Sequence, residues 1–164
     1  MSLPGTKLGN DVDTVGIIEI ACHKVSGGNA QGEALVTREP ISFLGTVDPE
    51  TGKVVDPEHE LYGRYVAGKI LIFPGGKGST VGSYVIYQLK KRGVAPAAMV
   101  NLKSEPIVAV GAIISGIPLV DRVPSSLLDV EAGTRVVVDA DKGILKAHLK
   151  APSDGRDLRS EKTF

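Results

Sequence analysis

The sequence has no tryptophan, and only four tyrosines and three phenylalanines among its 164 residues. A core built on aromatic rings is excluded, so Val, Ile, Leu and Ala must fill the interior. Its one cysteine, Cys22, excludes an internal disulfide. Alone it cannot hold a metal or an iron–sulfur cluster either. A single cysteine in an apolar stretch reads as a small buried hydrophobe. There is no excess charge of either sign, since 19 basic residues balance 19 acidic ones. A general nucleic-acid binder needs a basic excess, so nucleic acid is not an expected partner. The longest apolar stretch, Ile107 to Val120, is short for a membrane span and contains Gly and Pro. No basic-then-apolar opening reads as a signal peptide. The expectation is a cytoplasmic protein with no membrane partner.

What remains is enough for one domain, able to bury roughly 70% of its unfolded surface. The apolar run Lys69–Phe73 leads into Pro74-Gly75-Gly76-Lys77-Gly78-Ser79-Thr80, and an amphipathic run, Val81 to Arg92, leads out. Strand, glycine-rich turn and helix follow from that order. Glycine lets the backbone turn sharply and approach a ligand closely. Ser79 and Thr80 stand where a helix N-cap is expected. The free N–H groups and positive dipole end there suit an anion. The bland alternative is an ordinary capped turn. Three sharper motifs fail. Lys77 is followed by Gly78 rather than Ser or Thr, which excludes a Walker A loop. Val81 stands where a dinucleotide fingerprint would need its third glycine, and no histidine follows the glycine pair to carry a phosphate.

Short strands are predicted at Val15–Lys24, Glu33–Thr37 and Ile41–Leu44, with turns at Ser26–Asn29 and Asp48–Gly52. Val54 to Tyr65 reads as a polar excursion across a surface. His59 within it is a candidate to face a ligand, although a lone loop histidine more often serves as a structural hydrogen-bonding group. Lys69–Phe73 is apolar throughout, as a strand covered on both faces would be. In the helix that follows, Val81, Val85 and Leu89 define one face, and Lys90-Lys91-Arg92 before Gly93 mark its end. Ala97–Leu102 is another strand. Glu105-Pro106 opens a second helix, with Ile107-Val108 and Ile113-Ile114 sharing a face. Thr134–Val138 and Gly143–Leu149 form a hairpin. Two helices for seven or eight strands exclude a regular doubly wound fold. An α+β class is expected, with mixed β layers or a barrel-like core. Residues 1–14 form an expected flexible arm, 15–150 the domain and 151–164 a polar tail.

From Ile41 to Arg122 the chain resembles the swivel domain, or small subunit, of aconitase X. The matching pieces are Gly45-Thr46-Val47-Asp48-Pro49-Glu50-Thr51-Gly52, His59-Glu60-Leu61-Tyr62-Gly63, the loop Pro74–Ser79, Gly93-Val94-Ala95-Pro96-Ala97-Ala98, and Gly116-Ile117-Pro118-Leu119-Val120-Asp121. Their order and spacing carry the resemblance, which with its flanks spans about Val15 to Leu149. It implies a swivelling β/β/α fold and a dehydratase whose large catalytic subunit holds an iron centre, a [4Fe–4S] cluster in the expected form. No cofactor is then bound by this chain. The resemblance also implies that Ser79 is the proton-abstracting base. Two activities occur in that family: dehydration of 5-phosphomevalonate to trans-anhydromevalonate 5-phosphate, and dehydration of cis-3-hydroxyproline. Residues 78–87 and 106–113 look more like the archaeal type, which carries the first. The expected ligand is a small phosphorylated hydroxy acid.

Loss of water needs a base for the proton and an acid for the hydroxyl, and a metal can serve as the acid. A serine hydroxyl is a poor base unless its alkoxide is stabilised by N–H donors and a cation. Lys77 is that cation, or a carboxylate or phosphate ligand, or a solvated turn residue. Gly75, Gly76, Gly78 and Thr80 complete the expected substrate-binding set. A non-catalytic anion-binding scaffold with the same fold is the reading from a different class.

Overall fold

In the computed structural model, residues 14–150 are described. The expected arm and tail lie outside them, except Thr14, which opens the first strand. The strands are β1 (Thr14–Ala21), β2 (His23–Ser26), β3 (Asn29–Val36), β4 (Ile70–Phe73), β5 (Ala98–Asn101), β6 (Leu119–Asp121), β7 (Arg135–Asp139) and β8 (Ile144–Lys150). The helices are α1 (Phe43–Thr46), a kinked four-residue turn, then α2 (Gly82–Lys91) and α3 (Pro106–Ser115).

The strands run in the order β1-β8-β7-β3-β4-β5-β6-β2. β3, β4, β5 and β6 are parallel neighbours, whereas β1, β8, β7 and the first half of β3 are antiparallel. β3 serves both groups. Asn29 to Glu33 pair with β7, and Ala34 to Val36 pair with β4. β1 and β2 meet at Cys22 and likewise join the two edges, since β1 pairs with β8 and β2 with β6.

Alternation along β4 explains the layering. Ile70 and Ile72 pack with Val136, Val138, Leu145 and Ala147 of the outer hairpin. Leu71 and Phe73 point the other way, into a cluster with Val85, Ile86 and Leu89 of α2 and Val108 and Ala112 of α3. All four β4 residues are fully buried, as a strand covered on both faces requires. Each such side chain contributes about 1.5–3 kcal/mol of transfer free energy. The result is sheet, sheet and helices: a β/β/α arrangement in the α+β class.

Three local expectations need correction. Ile41–Leu44 is not a strand. Ile41 makes a single bridge to Gly76, and the chain then turns so that Phe43 is buried edge-on to Phe73, ring centroids 6.0 Å apart. Gly45, at φ 94°, breaks the helical path. The excursion from Val54 to Tyr65 is turn-rich, but it sends Val54, His59 and Leu61 inward. The buried face of α2 is Gly82, Val85, Ile86 and Leu89, and Val81 lies outside the helix, exposed.

Candidate active site

The loop Pro74–Thr80 leaves the C-terminal end of β4, the edge of a parallel sheet where ligands gather. Both neighbouring connections pin it. Ile41 N–H donates to Gly75 O (3.2 Å), and Lys77 N–H donates to Ile41 O (3.1 Å). On the other side, Leu102 and Lys103 N–H groups donate to Pro74 O at 3.1 and 3.2 Å. A Cβ on Gly76 would strike Glu105 Oε2 and Val108, so only glycine lets α3 stand this close. Gly78 combines φ 89° with the Ser42 hydroxyl directly against it. These contacts leave Gly75 buried and push Lys77, Gly78, Ser79 and Thr80 into the open.

Ser79 Oγ accepts from Val81 N–H (3.1 Å), and Ser79 O accepts from Gly82 N–H (2.9 Å). The expected cap therefore acts on a tight turn that precedes α2. The α-helix itself starts at Gly82, with Val81 at its N-cap position and no side-chain cap there. The N–H groups of Gly78, Ser79 and Thr80 have no acceptor among the described residues. α3 begins at the same edge but is closed: Glu105 accepts from Ile107 N–H (3.0 Å) and Val108 N–H (2.8 Å). At α2 the N–H groups of Val81, Gly82 and Ser83 are likewise taken, by Ser79 Oγ, Ser79 O and Thr80 O, so the donors open to an anion are those of the preceding loop.

Lys77 is exposed and has no ion-pair partner among the described residues. It lines a recess of about 460 Å³ together with Ser42, Thr46 and His59, and with the carboxylates Glu39, Asp56 and Glu58. His59 is buried. Its Nε2 lies 3.2 Å from Pro40 O, and its Nδ1 accepts from Leu61 N–H at 3.1 Å. Both ring nitrogens are engaged in holding residues 40 and 61, so the side chain is a strut in the recess wall. Ser79 is not among the lining residues.

A second polar group on this edge escaped the sequence reading. His23 Nδ1 and Asp121 Oδ1 are 2.8 Å apart, and Asp121 Oδ2 accepts from Ser104 N–H at 3.1 Å. Burial pushes the Asp121 carboxyl up, but the hydrogen bonds from His23 and Ser104 outweigh it and hold the group below the usual carboxylate range. Nothing in the sequence links positions 23 and 121, which only the β2–β6 pairing brings together. Ser42 was missed for the same reason. Glu105 was legible as a helix start, not as the wall behind Gly76.

Among the described residues, no group of three His, Cys, Asp or Glu side chains is placed to hold a metal. Cys22 is half-buried and its thiol is pushed up to about 11, by burial first and then by Asp121 and Asp139. The donors present on the described residues do not fit an iron–sulfur cluster. Nor is any helix among them long and apolar enough to cross a membrane.

Comparison with known proteins adds to this geometry. The family described as the aconitase X swivel domain matches residues 19–147. The phosphomevalonate dehydratase small subunit of Methanothrix thermoacetophila is 78% identical over 128 residues, covering 78% of this chain and 93% of that one. The protein of the same name from Methanocella arvoryzae is 60% identical over 130 residues, covering 79% and 98%. The crystal structure of Thermococcus kodakaraensis aconitase X in its holo-form superposes with a TM-score of 0.77 at 53% identity, covering 80% of this chain and 99% of that one. The loop, the layering and these likenesses agree, and the chain belongs to the aconitase X swivel domain family.

Proposed function

We propose that this chain is the small subunit of a phosphomevalonate dehydratase, a hydro-lyase that acts only with a larger subunit. One observation carries the reading: 78% identity to a protein of that name across 93% of its length. Residues 15–150 form the swivel domain. The substrate is 5-phosphomevalonate, the product trans-anhydromevalonate 5-phosphate. The larger subunit holds the [4Fe–4S] cluster, for which the described residues of this chain supply no donor set.

Ser79 is the base. Its hydroxyl stands exposed at the turn before α2, beside the unpaired N–H groups of Gly78, Ser79 and Thr80. To act as the base Ser79 must be present as its alkoxide, whose charge those N–H dipoles stabilise until the proton taken from the substrate neutralises it. Lys77 adds a full charge two residues away and orients an anionic group of the substrate. Gly75 and Gly76 fix the loop between its neighbours. Gly78 and Thr80 bring their N–H groups to the substrate. His59 steadies the recess wall.

The test is Ser79→Ala in the complex reconstituted with the larger subunit. Turnover of 5-phosphomevalonate should fall by about 10²–10⁴, the usual contribution of a general base. The melting temperature should stay within a few degrees and the subunits should still associate. If Ser79 were only a cap, alanine would cost about 0.5–2 kcal/mol of stability and leave turnover near normal. That pattern would remove the assignment.

A further inference from the structure

The edge that carries the Ser79 loop holds more cations than Lys77. The parallel strands β3, β4, β5 and β6 all end there, and a basic residue follows each within a few positions: Arg38, Lys77, Lys103 and Arg122. Arg38 is taken, since its guanidinium meets Asp129. Lys77, Lys103 and Arg122 are exposed and have no ion-pair partner among the described residues. Their backbones are fastened together. Lys103 N–H donates to Pro74 O (3.2 Å), a Cβ on Gly75 would meet Lys103 O, and Arg122 N–H donates to Leu102 O (3.0 Å). Neighbouring strands lie about 4.8 Å apart, so the three connections span on the order of 10 Å. Arg122 is also the only non-glycine among the described residues with a positive φ, 60°. That conformation is uncommon for a long side chain and concentrates at functional sites. The acids next to Lys103 and Arg122 in sequence do not neutralise them. Glu105 is occupied by the N–H groups of Ile107 and Val108, and the buried Asp121 by His23 and Ser104.

We infer that Lys103 and Arg122 form a subsite for the phosphate of the substrate, separate from Lys77. The inference deepens the function proposed above and rests on it. 5-Phosphomevalonate is anionic at both ends. Its carboxylate adjoins the carbon that loses the proton, so it lies by Ser79 and Lys77. Its phosphate stands at the other end of the carbon chain and needs cations of its own. Lys77 is the poorer choice for that dianion, because its recess also holds Glu39, Asp56 and Glu58. Lys103 and Arg122 stand one and two strands further along the edge, where no free carboxylate adjoins them in sequence. A guanidinium grips a phosphate through two parallel N–H bonds, and a lysine adds a point charge. Two neighbouring cations repel, and a bound dianion reverses that. The subsite therefore selects a phosphate monoester over the same hydroxy acid without its phosphate, whose far end is neutral.

The test uses the full chain reconstituted with the larger subunit of the same organism. Lys103→Gln and Arg122→Asn remove the charges, and asparagine tolerates the positive φ at position 122. In the double variant, KM for 5-phosphomevalonate should rise about ten- to hundredfold with kcat near the parent's, because the lost contacts lie away from the reacting carbons. Inhibition by inorganic phosphate, which competes through this subsite, should weaken by the same factor. Mevalonate, which lacks the phosphate, should inhibit parent and variant equally. Arg122→Lys, which keeps a charge, should lose less than Arg122→Asn. Arg92→Gln, at the far end of α2, should change none of these values. Unchanged KM and unchanged phosphate inhibition in the double variant overturn the inference. So does an equal loss of mevalonate and phosphate inhibition, which means a disturbed edge rather than a phosphate subsite. A double variant that binds the larger subunit more weakly but has the parent's KM at saturation overturns it too, since the cations then serve assembly. The functional reading fails differently: the parent complex forms but does not dehydrate 5-phosphomevalonate. Calorimetry with inorganic phosphate then decides the subsite by itself. Binding to the double variant weaker by about tenfold or more supports it, and equal binding overturns it.

Discussion

Cys22 sits where β1 passes into β2, and its N–H donates to Gly143 O at 2.9 Å. The sequence reading made it a small buried hydrophobe, and the structure leaves it half-buried against the inner core cluster. With the thiol pushed up to about 11, the reactive thiolate at pH 8 is on the order of 10² scarcer than for an ordinary thiol. Iodoacetamide should label the native chain slower than the urea-unfolded chain by about that factor, with the native rate still climbing toward pH 11. Equal rates in both states would show that the fold does not restrain this thiol. Residue-level legibility followed sequence distance. Ser79 was readable because the strand, the glycines and the helix that frame it are its neighbours. The contact of Ser42 with Gly78 and the pairing of His23 with Asp121 join residues far apart in the chain. No local pattern encodes such a pair.

α3 shows how an element can be recognised and still be misoriented. Glu105-Pro106 announced its start, and Glu105 does cap it through two backbone N–H groups. Its faces were assigned wrongly. Ile113 and Ile114 were expected to share a face with Ile107 and Val108, but they point outward. A helix without a polar side gives periodicity nothing to act on, so size decides instead. A Cβ at Gly111 would come within 2.7 Å of Ile86, and this missing side chain is what lets α2 pack against α3. Glu105→Ala should lower stability by about 0.5–2 kcal/mol through loss of the cap. Glu105→Gln, which keeps one acceptor oxygen, should cost less. Urea unfolding of both variants checks the order, and equal losses would mean that the charge, not the acceptor, holds the helix end.

At the scale of the molecule, two carboxylates set the acid limit. Asp121 is held below its usual range for the reasons given above. Glu60 is lowered chiefly by the Thr37 hydroxyl (2.6 Å), against some burial, with help from Arg38 N–H (3.0 Å). A carboxylate lowered in the folded state adds stability above its unfolded value, and that stability is lost as pH falls through the folded value. Unfolding resistance should therefore hold through neutral pH and decline below about pH 4. The decline should be shallower in the Asp121→Asn, Glu60→Gln double variant. Parallel urea midpoints for the two proteins at pH 7, 4 and 3 would refute this. The count of strands and helices gave the α+β class but left layers or a barrel open, and the β/β/α order came from the resemblance to the aconitase X swivel domain. The division of β3 between two sheets was not readable. Its first half is polar and exposed at Asn29, Gln31 and Glu33, so the strand seemed to begin only at Glu33. That division also constrains how the polypeptide matures on the ribosome. The outer sheet takes β1 and half of β3 from the start of the described chain and β7 and β8 from its end. Thr14 pairs with Lys150, and Asn29 with Asp139. The early strands emerge with their hydrogen-bonding edges bare and must wait through translation of both helices before partners arrive. Such long-range closure is slow, and bare edges invite pairing between neighbouring nascent chains. Completion of the last hairpin, not of the helix layer, is then the event that commits this protein to its fold.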